Sequence, residues 1–276
     1  MDWLHDLPAT PLAFIVVFAV LAGSMAGLAL FAGLARRLNA RAQLDNSTIA
    51  GLLAALVGVY SIAAGLTAVA VWNNTVDATA HVSREVTAIT VLYHDLGGYP
   101  KSLEVQARAR LTQYTQDVIE KEWPVHLSGS NLGGGLEVLE DLQHMLYAFE
   151  PTTEGQKVVH AETLHSYNRL VEMRRERIRS ADETALPGPL WAVVTLLGAI
   201  AITSCFLLRI DSLLLHAVVT ALVATPIALV VFFIAVTDRP FRGGVTVSVE
   251  PYQEALVHMT HHDASTTGGG STTAVR

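Results

Sequence analysis

The small residues Gly51, Ala54, Gly58, Ser61, Gly65 and Ala68 recur every three or four positions, and Trp72 and Thr75 extend the series. On a helix, that spacing gathers them into one seam. Small side chains leave room around an axis, and the hydroxyls of Ser61 or Thr67 can replace part of an ion's hydration shell. The same seam lets two helix backbones approach closely in lipid. It therefore serves as a pore wall, or as packing within or between subunits. Just beyond it, Asn74, Asp77, His81 and Glu85 share a helical face. That face acts as a vestibule that focuses cations, or is simply a solvated surface. One straight helix cannot wrap three ligands around an ion, so it makes no metal site alone.

Such residues need long helices to position them, and the chain supplies four. Residues 11–35, 49–72, 191–208 and 213–236 contain no Asp, Glu, Lys or Arg. At 1.5 Å rise per residue, about 20 apolar residues cross a hydrocarbon core of roughly 30 Å. The first run is longer than a signal-peptide core and no Lys or Arg precedes it, so it reads as a retained span. We expect an all-α membrane protein, multi-pass in the cell (inner) membrane, with the lipid bilayer as partner. The composition, 51% hydrophobic and 16% charged, agrees. A net charge of −7 leaves no basic stripe for phosphates, so nucleic acid is not expected as a partner. The lone Cys205 lies in the third span and reads as a small apolar filler.

The spans divide two and two. Residues 1–72 form the first hairpin, 73–188 a helical extramembrane domain, 189–237 the second hairpin, 238–263 a C-terminal segment and 264–276 a disordered tail. Asp45-Asn46-Ser47 supplies capping chemistry for the second span. No Gly or Pro appears between Gly65 and Gly97, so that span runs on as one helix to about Tyr93. A polar helix from Ser102 to Trp123 buries Leu103, Ala107, Leu111, Tyr114, Val118 and Glu122, and Pro124 stops it. Helices 136–149 and 154–184 follow, the latter burying Val158, Leu164, Tyr167, Leu170 and Ile178. Pro226 kinks the fourth span, as packing or as a gating hinge. Alternating Val245, Val247 and Val249 suggest a short strand, and a short helix runs from Pro251 to about Met259. His258, His261, His262 and Asp263 have metal-like spacing, and His216 reaches an interface.

No enzyme is expected. Walker-type, HExxH and GxSxG motifs and paired intramembrane carboxylates are absent, and Gly133-Gly134-Gly135 lacks the Lys-Ser/Thr of a phosphate loop. No cofactor or metal is expected either. Basic residues Arg36, Arg37, Arg41 and Arg209 in the short loops place those loops in the cytoplasm and the middle domain outside. Arg174, Arg175, Arg177 and Arg179 before the third span, with Arg239 and Arg242 after the fourth, pull the other way.

Several segments together resemble the bestrophin-like domain family of bacterial membrane proteins. They are IAGLLAALVGVYSIAAGLTAVAVW, SREVTAITVLY with Glu85, KEWP at Lys121 to Pro124, LPGPLW from Leu186, and DRPFRGGVTVSVEPYQEAL from Asp238. Glu85-Val86-Thr87 departs from the Glu-Ala-Asn common in that family. The resemblance implies a homo-oligomeric ion channel, a pentamer by analogy, with inorganic ions as partners and the middle domain in the cytoplasm. The alternative is a non-conducting membrane-anchored sensor or scaffold whose helical middle domain binds a ligand or partner.

Overall fold

Helix ends follow the punctuation of the chain. The structure, a computed structural model, describes residues 9–37, 45–128, 135–182, 184–241 and 246–268. Their helices are α1 (Ala9–Arg37), α2 (Asn46–Asp95), α3 (Lys101–Asp117), α4 (Trp123–Ser128), α5 (Leu136–Tyr147), α6 (Glu154–Asp182), α7 (Gly188–Cys205), α8 (Leu213–Thr237) and α9 (Glu250–Gly268). At the start of α2 the Ile49 N–H donates to the Asp45 carbonyl, 3.1 Å, and the Ser47 hydroxyl donates to the Asp45 carboxylate. Gly97 and Gly98 end α2 in a 3₁₀ turn, Leu96–Gly98. Ser212 caps α8 by accepting from the Leu215 N–H.

The chain divides into two units, Met1–Thr75 with Thr184–Val245 and Val76–Glu183 with Thr246–Arg276. The first holds α1, α7, α8 and the N-terminal part of α2. Four helices, α1, α2, α7 and α8, are long and apolar enough to cross a membrane. Their core gathers Leu28, Tyr60, Val71, Ile202, Phe206 and Ile227. Large side chains such as Phe14, Phe18, Leu66 and Leu222 stay exposed, as lipid-facing or subunit-facing helices require. The loops are tied by polar clips. Asn46 Nδ2 donates to the Arg209 carbonyl (2.9 Å), and the Arg209 N–H returns a bond to Asn46 Oδ1 (3.0 Å). The LPGPLW and DRPF segments meet at Asp238. Its carboxylate accepts the Leu186 N–H at 2.8 Å and the Trp191 indole N–H at 3.4 Å. His216 Nε2 lies 3.0 Å from the Cys205 carbonyl, so the imidazole closes the α7–α8 turn.

The second unit is helical too. Helix α3 packs against α5 and α9. Ala107, Leu111, Tyr114, Val118 and Glu122 are buried as their spacing predicts, while Leu103 is half-buried. On α6, Tyr167 and Leu170 are buried, Leu164 and Ile178 half-buried, and Val158 is exposed.

Three expectations are corrected. Pro124 does not stop a helix. The helix runs unbroken from α3 through a π-helical turn, Val118–Glu122, into α4, and Pro124 sits just after that turn, where the regular i→i−4 bonding is already interrupted. Among the described residues there is no strand: residues 246–248 are irregular, Val249 is a bend, and Val245 lies outside the described residues. Valine alternation makes a strand only where a neighbour completes the ladder. The C-terminal helix also passes Met259 and runs to Gly268. Its Ser/Thr/Gly content is unfavourable for helix in isolation.

Gly198 of the membrane unit is a close-approach position. A Cβ on Gly198 would lie 3.0 Å from Ile227 Cγ2 and 3.3 Å from Tyr60 Cε2, whereas one on Gly58 would meet nothing within 4 Å. Gly198→Leu should therefore destabilise the protein by about 1–3 kcal/mol through overpacking. Gly58→Leu should not destabilise it, since a helical Gly costs up to about 1 kcal/mol relative to a better helix former. Thermal unfolding of both variants in detergent checks this contrast.

Candidate functional site

Along α2, residues at three- and four-residue steps form a buried stripe: Tyr60, Ala64, Thr67, Val71, Thr75, Ala78, Val82, Glu85, Ile89, Leu92 and Leu96. The small-residue seam lies one residue further along, about 100° around the helix. Gly51, Ala54, Gly58, Ser61 and Gly65 are exposed and Ala68 is half-buried. A Cβ built on Gly51, Gly58 or Gly65 touches nothing within 4 Å. Among the described residues no side chain lies over these glycines, and α8 borders the flank only along a groove. Thr67 is separated from the seam: it belongs to the buried stripe, and its hydroxyl donates to the Ala63 carbonyl at 2.8 Å.

Ser61, Gly65 and Ala68 line a groove of about 320 Å³ with Leu222, Pro226 and Val230 of α8. Pro226 thus borders the same space as the seam. The Ser61 hydroxyl donates to the Val57 carbonyl, 2.7 Å. Tyr60 donates to the Ile227 carbonyl, 3.4 Å, holding α2 against α8.

The four vestibule candidates meet different surroundings. Asn74 is half-buried and Asp77 exposed. His81 Nδ1 lies 3.2 Å from Glu176 Oε2 on α6. Glu85 is fully buried, so it is a core group and not a solvent-facing one. Among the C-terminal histidines, His258 and His261 are exposed. The His262 ring lies edge-on to His94 with centroids 6.2 Å apart. The Asp263 side chain lies outside the described residues.

Glu85 leads to a polar cluster inside the second unit. Arg177 of α6, fully buried, donates from Nε to Glu85 Oε2 at 2.6 Å and from Nη2 to Glu122 Oε2 at 2.6 Å. Arg174, one turn earlier, donates to Glu122 Oε1 at 2.7 Å. The Tyr114 hydroxyl donates to Glu85 Oε1 at 2.5 Å. His126 Nε2 sits 2.7 Å from Arg177 Nη1. The Tyr252 ring of α9 lies 5.9 Å from the Arg177 guanidinium carbon and 5.8 Å from the Trp123 ring. Two carboxylates thus balance two guanidinium groups.

Burial opposes the Arg177 charge, and Glu85, Tyr252, Tyr114 and Glu122 outweigh it, raising its pKa well above the usual value. Burial and then the Glu85 charge push both Tyr114 and Tyr252 well up, so both phenols stay protonated. Burial and then Arg177 lower His126 to about 4.

Arg174, Arg177 and His126 were missed as site residues by the sequence reading, which took the arginines only as topology charges. The signal was present in spacing. Arg174 and Arg177 continue the buried series Thr163, Ser166, Tyr167, Leu170 and Met173 on α6. Three of the segments quoted above for their resemblance converge here, through Glu85, through Glu122 with Trp123, and through Tyr252.

The chain belongs to the bestrophin-like domain family, whose model matches residues 18–252. Solved structures share the fold at low identity. A single-residue variant of a bacterial bestrophin homologue from Klebsiella pneumoniae aligns with TM-score 0.66 and 10% identity, covering 90% of this chain and 98% of that one. A second variant of that homologue gives TM-score 0.63 and 10% identity over the same shares. A crystallised membrane-protein variant gives TM-score 0.66 and 12% identity, again covering 90% and 98%. A comparison with curated proteins returns no match.

Arg177 carries the cluster, because its loss takes the cation from buried Glu85 and leaves Glu122 with Arg174. Arg177→Met should cost about 3–5 kcal/mol, the usual penalty for removing one side of a buried ion pair. Arg174→Met should cost less, since Glu122 keeps Arg177 and Glu85 is untouched. Chaotrope unfolding of the full chain in detergent measures the difference.

Proposed function

We propose that this protein is a subunit of an oligomeric bestrophin-like ion channel in the cell (inner) membrane, with α2 lining the pore. The observation that carries this reading is the bare small-residue flank of α2: Gly51, Ala54, Gly58, Ser61 and Gly65 are exposed, with no side chain among the described residues over the glycines. Lining a water-filled axis gives such a flank a use that packing within one subunit does not. Fold similarity to bacterial bestrophin homologues supports it by analogy. In this reading residues 1–72 and 189–237 form the membrane hairpins, and 73–188 the extramembrane domain. Asn74, Asp77 and His81 form the pore mouth. Pro226, bordering the same groove, is the place for a hinge. No Lys or Arg lies on the seam, and Asp77 is exposed, which favours cations over anions there.

A second reading, a non-conducting membrane-anchored sensor or scaffold, is favoured by a groove of about 750 Å³ in the second unit. Leu136, Gln143, Tyr167, Arg175 and Arg179 are among its lining.

Reconstitution into a planar bilayer distinguishes the two. The channel reading expects unitary conductance, reduced by roughly tenfold or more in Gly58→Leu and Ser61→Leu, since bulk at the wall narrows the path. A bilayer silent across cations, anions, voltage, pH and calcium favours the sensor.

A further inference from the structure

His126 is the buried group whose charge the cluster cannot accommodate. It is 4% exposed, and its Nε2 faces a guanidinium nitrogen of Arg177 at 2.7 Å. Guanidinium groups only donate, so Nε2 must accept; the imidazole is neutral and carries its proton on Nδ1. Among the described residues, the titratable and charged groups around it are Arg174 and Arg177 on α6, Glu85 on α2, Glu122 in the π turn, Tyr114 on α3 and Tyr252 on α9. With neutral His126 the two arginines match the two glutamates. A proton on His126 leaves one uncompensated positive charge in the core and sets a donor against a donor.

We propose that His126 is an acid-operated release for this cluster: its protonation breaks the Arg177 contact and loosens α4 and α9 from α6. Helix α4 carries His126 and also Trp123, whose ring meets the Tyr252 ring of α9 at 5.8 Å, so the imidazole's contact is linked to α9 through that ring pair. The sign follows from linkage. The unfolded chain takes the proton near pH 6.5, the folded cluster only near 4. Stability is therefore complete above pH 6.5 and falls as the pH drops through that window.

Hydrogen exchange on the full-length protein in detergent tests this, after correction for intrinsic exchange. Between pH 7 and pH 5, protection in residues 123–128 and 250–262 should fall by roughly twenty- to thirtyfold, the ratio set by a histidine shifted from 6.5 to about 4. His126→Gln, a neutral acceptor at every pH, should keep its protection. Unchanged protection in the wild type overturns the proposal. So does an equal loss in His126→Gln, which assigns the acid response to Glu85 or Glu122. Should His126→Gln not fold, ¹⁵N-histidine NMR of the wild type decides. One imidazole should stay neutral and Nδ1-protonated at pH 5, and charging of all 11 histidines by that pH overturns the proposal.

Discussion

A guanidinium with no access to water needs partners for its nitrogens, and each of the three nitrogens of Arg177 finds one, in Glu85, Glu122 or His126. Much of the second unit follows from it. Glu85 fixes the rotation of α2, because only one face of that helix can deliver a carboxylate to the arginine. Glu122 sits in a π turn, where the extra residue re-aims the chain before α4. Gly135 adopts φ +76° where a Cβ would lie 2.9 Å from Glu122 Oε1 and 3.3 Å from Tyr114, so the start of α5 is shaped by the same carboxylate. Tyr252 brings the C-terminal helix to the cluster.

The membrane unit obeys a different rule. Hydrophobicity alone cannot hold its helices together in lipid, so backbones approach at small residues and polar clips close the turns. Gly198 is such an approach, against Tyr60 and Ile227, and Gly27 is another, with Phe206 3.0 Å from where its Cβ would be. The glycines of the α2 seam do something else. They lie at the same helical spacing but, among the described residues, have nothing within 4 Å of where a Cβ would be.

Much of the fold was legible because its signals are strong and local. Charge-free runs place the four spans, Gly97-Gly98 ends α2, and Pro187 precedes α7. The misses share a cause, which is that pairing across the chain outweighs local preference. Val247 and Val249 have strand propensity but no neighbouring strand among the described residues. Pro124 is a helix breaker, yet it follows a π turn in which the regular hydrogen-bond ladder is already interrupted. Glu85 looks like a surface acid until Arg177, far along the chain, is brought beside it. Thr67 sits one residue from Ala68 but about 100° around the helix from it, which puts it on the buried stripe and off the seam. Of the candidate site, the sequence displayed the seam as a pattern; whether anything covered it depended on tertiary placement.

The central claim is that this bare flank of α2 faces water in the assembled protein. Thiol accessibility tests it most directly. In a Cys205→Ala background, single cysteines replace Gly58, Ser61 and Gly65 on the flank, with Ala64 and Val71 on the buried stripe as controls. Each is treated with a membrane-impermeant thiol reagent in liposomes. The account predicts fast modification at Gly58→Cys, Ser61→Cys and Gly65→Cys and almost none at Ala64→Cys and Val71→Cys. Flank cysteines as unreactive as the two controls would show the seam to be dry, packed against protein or lipid, and would contradict it.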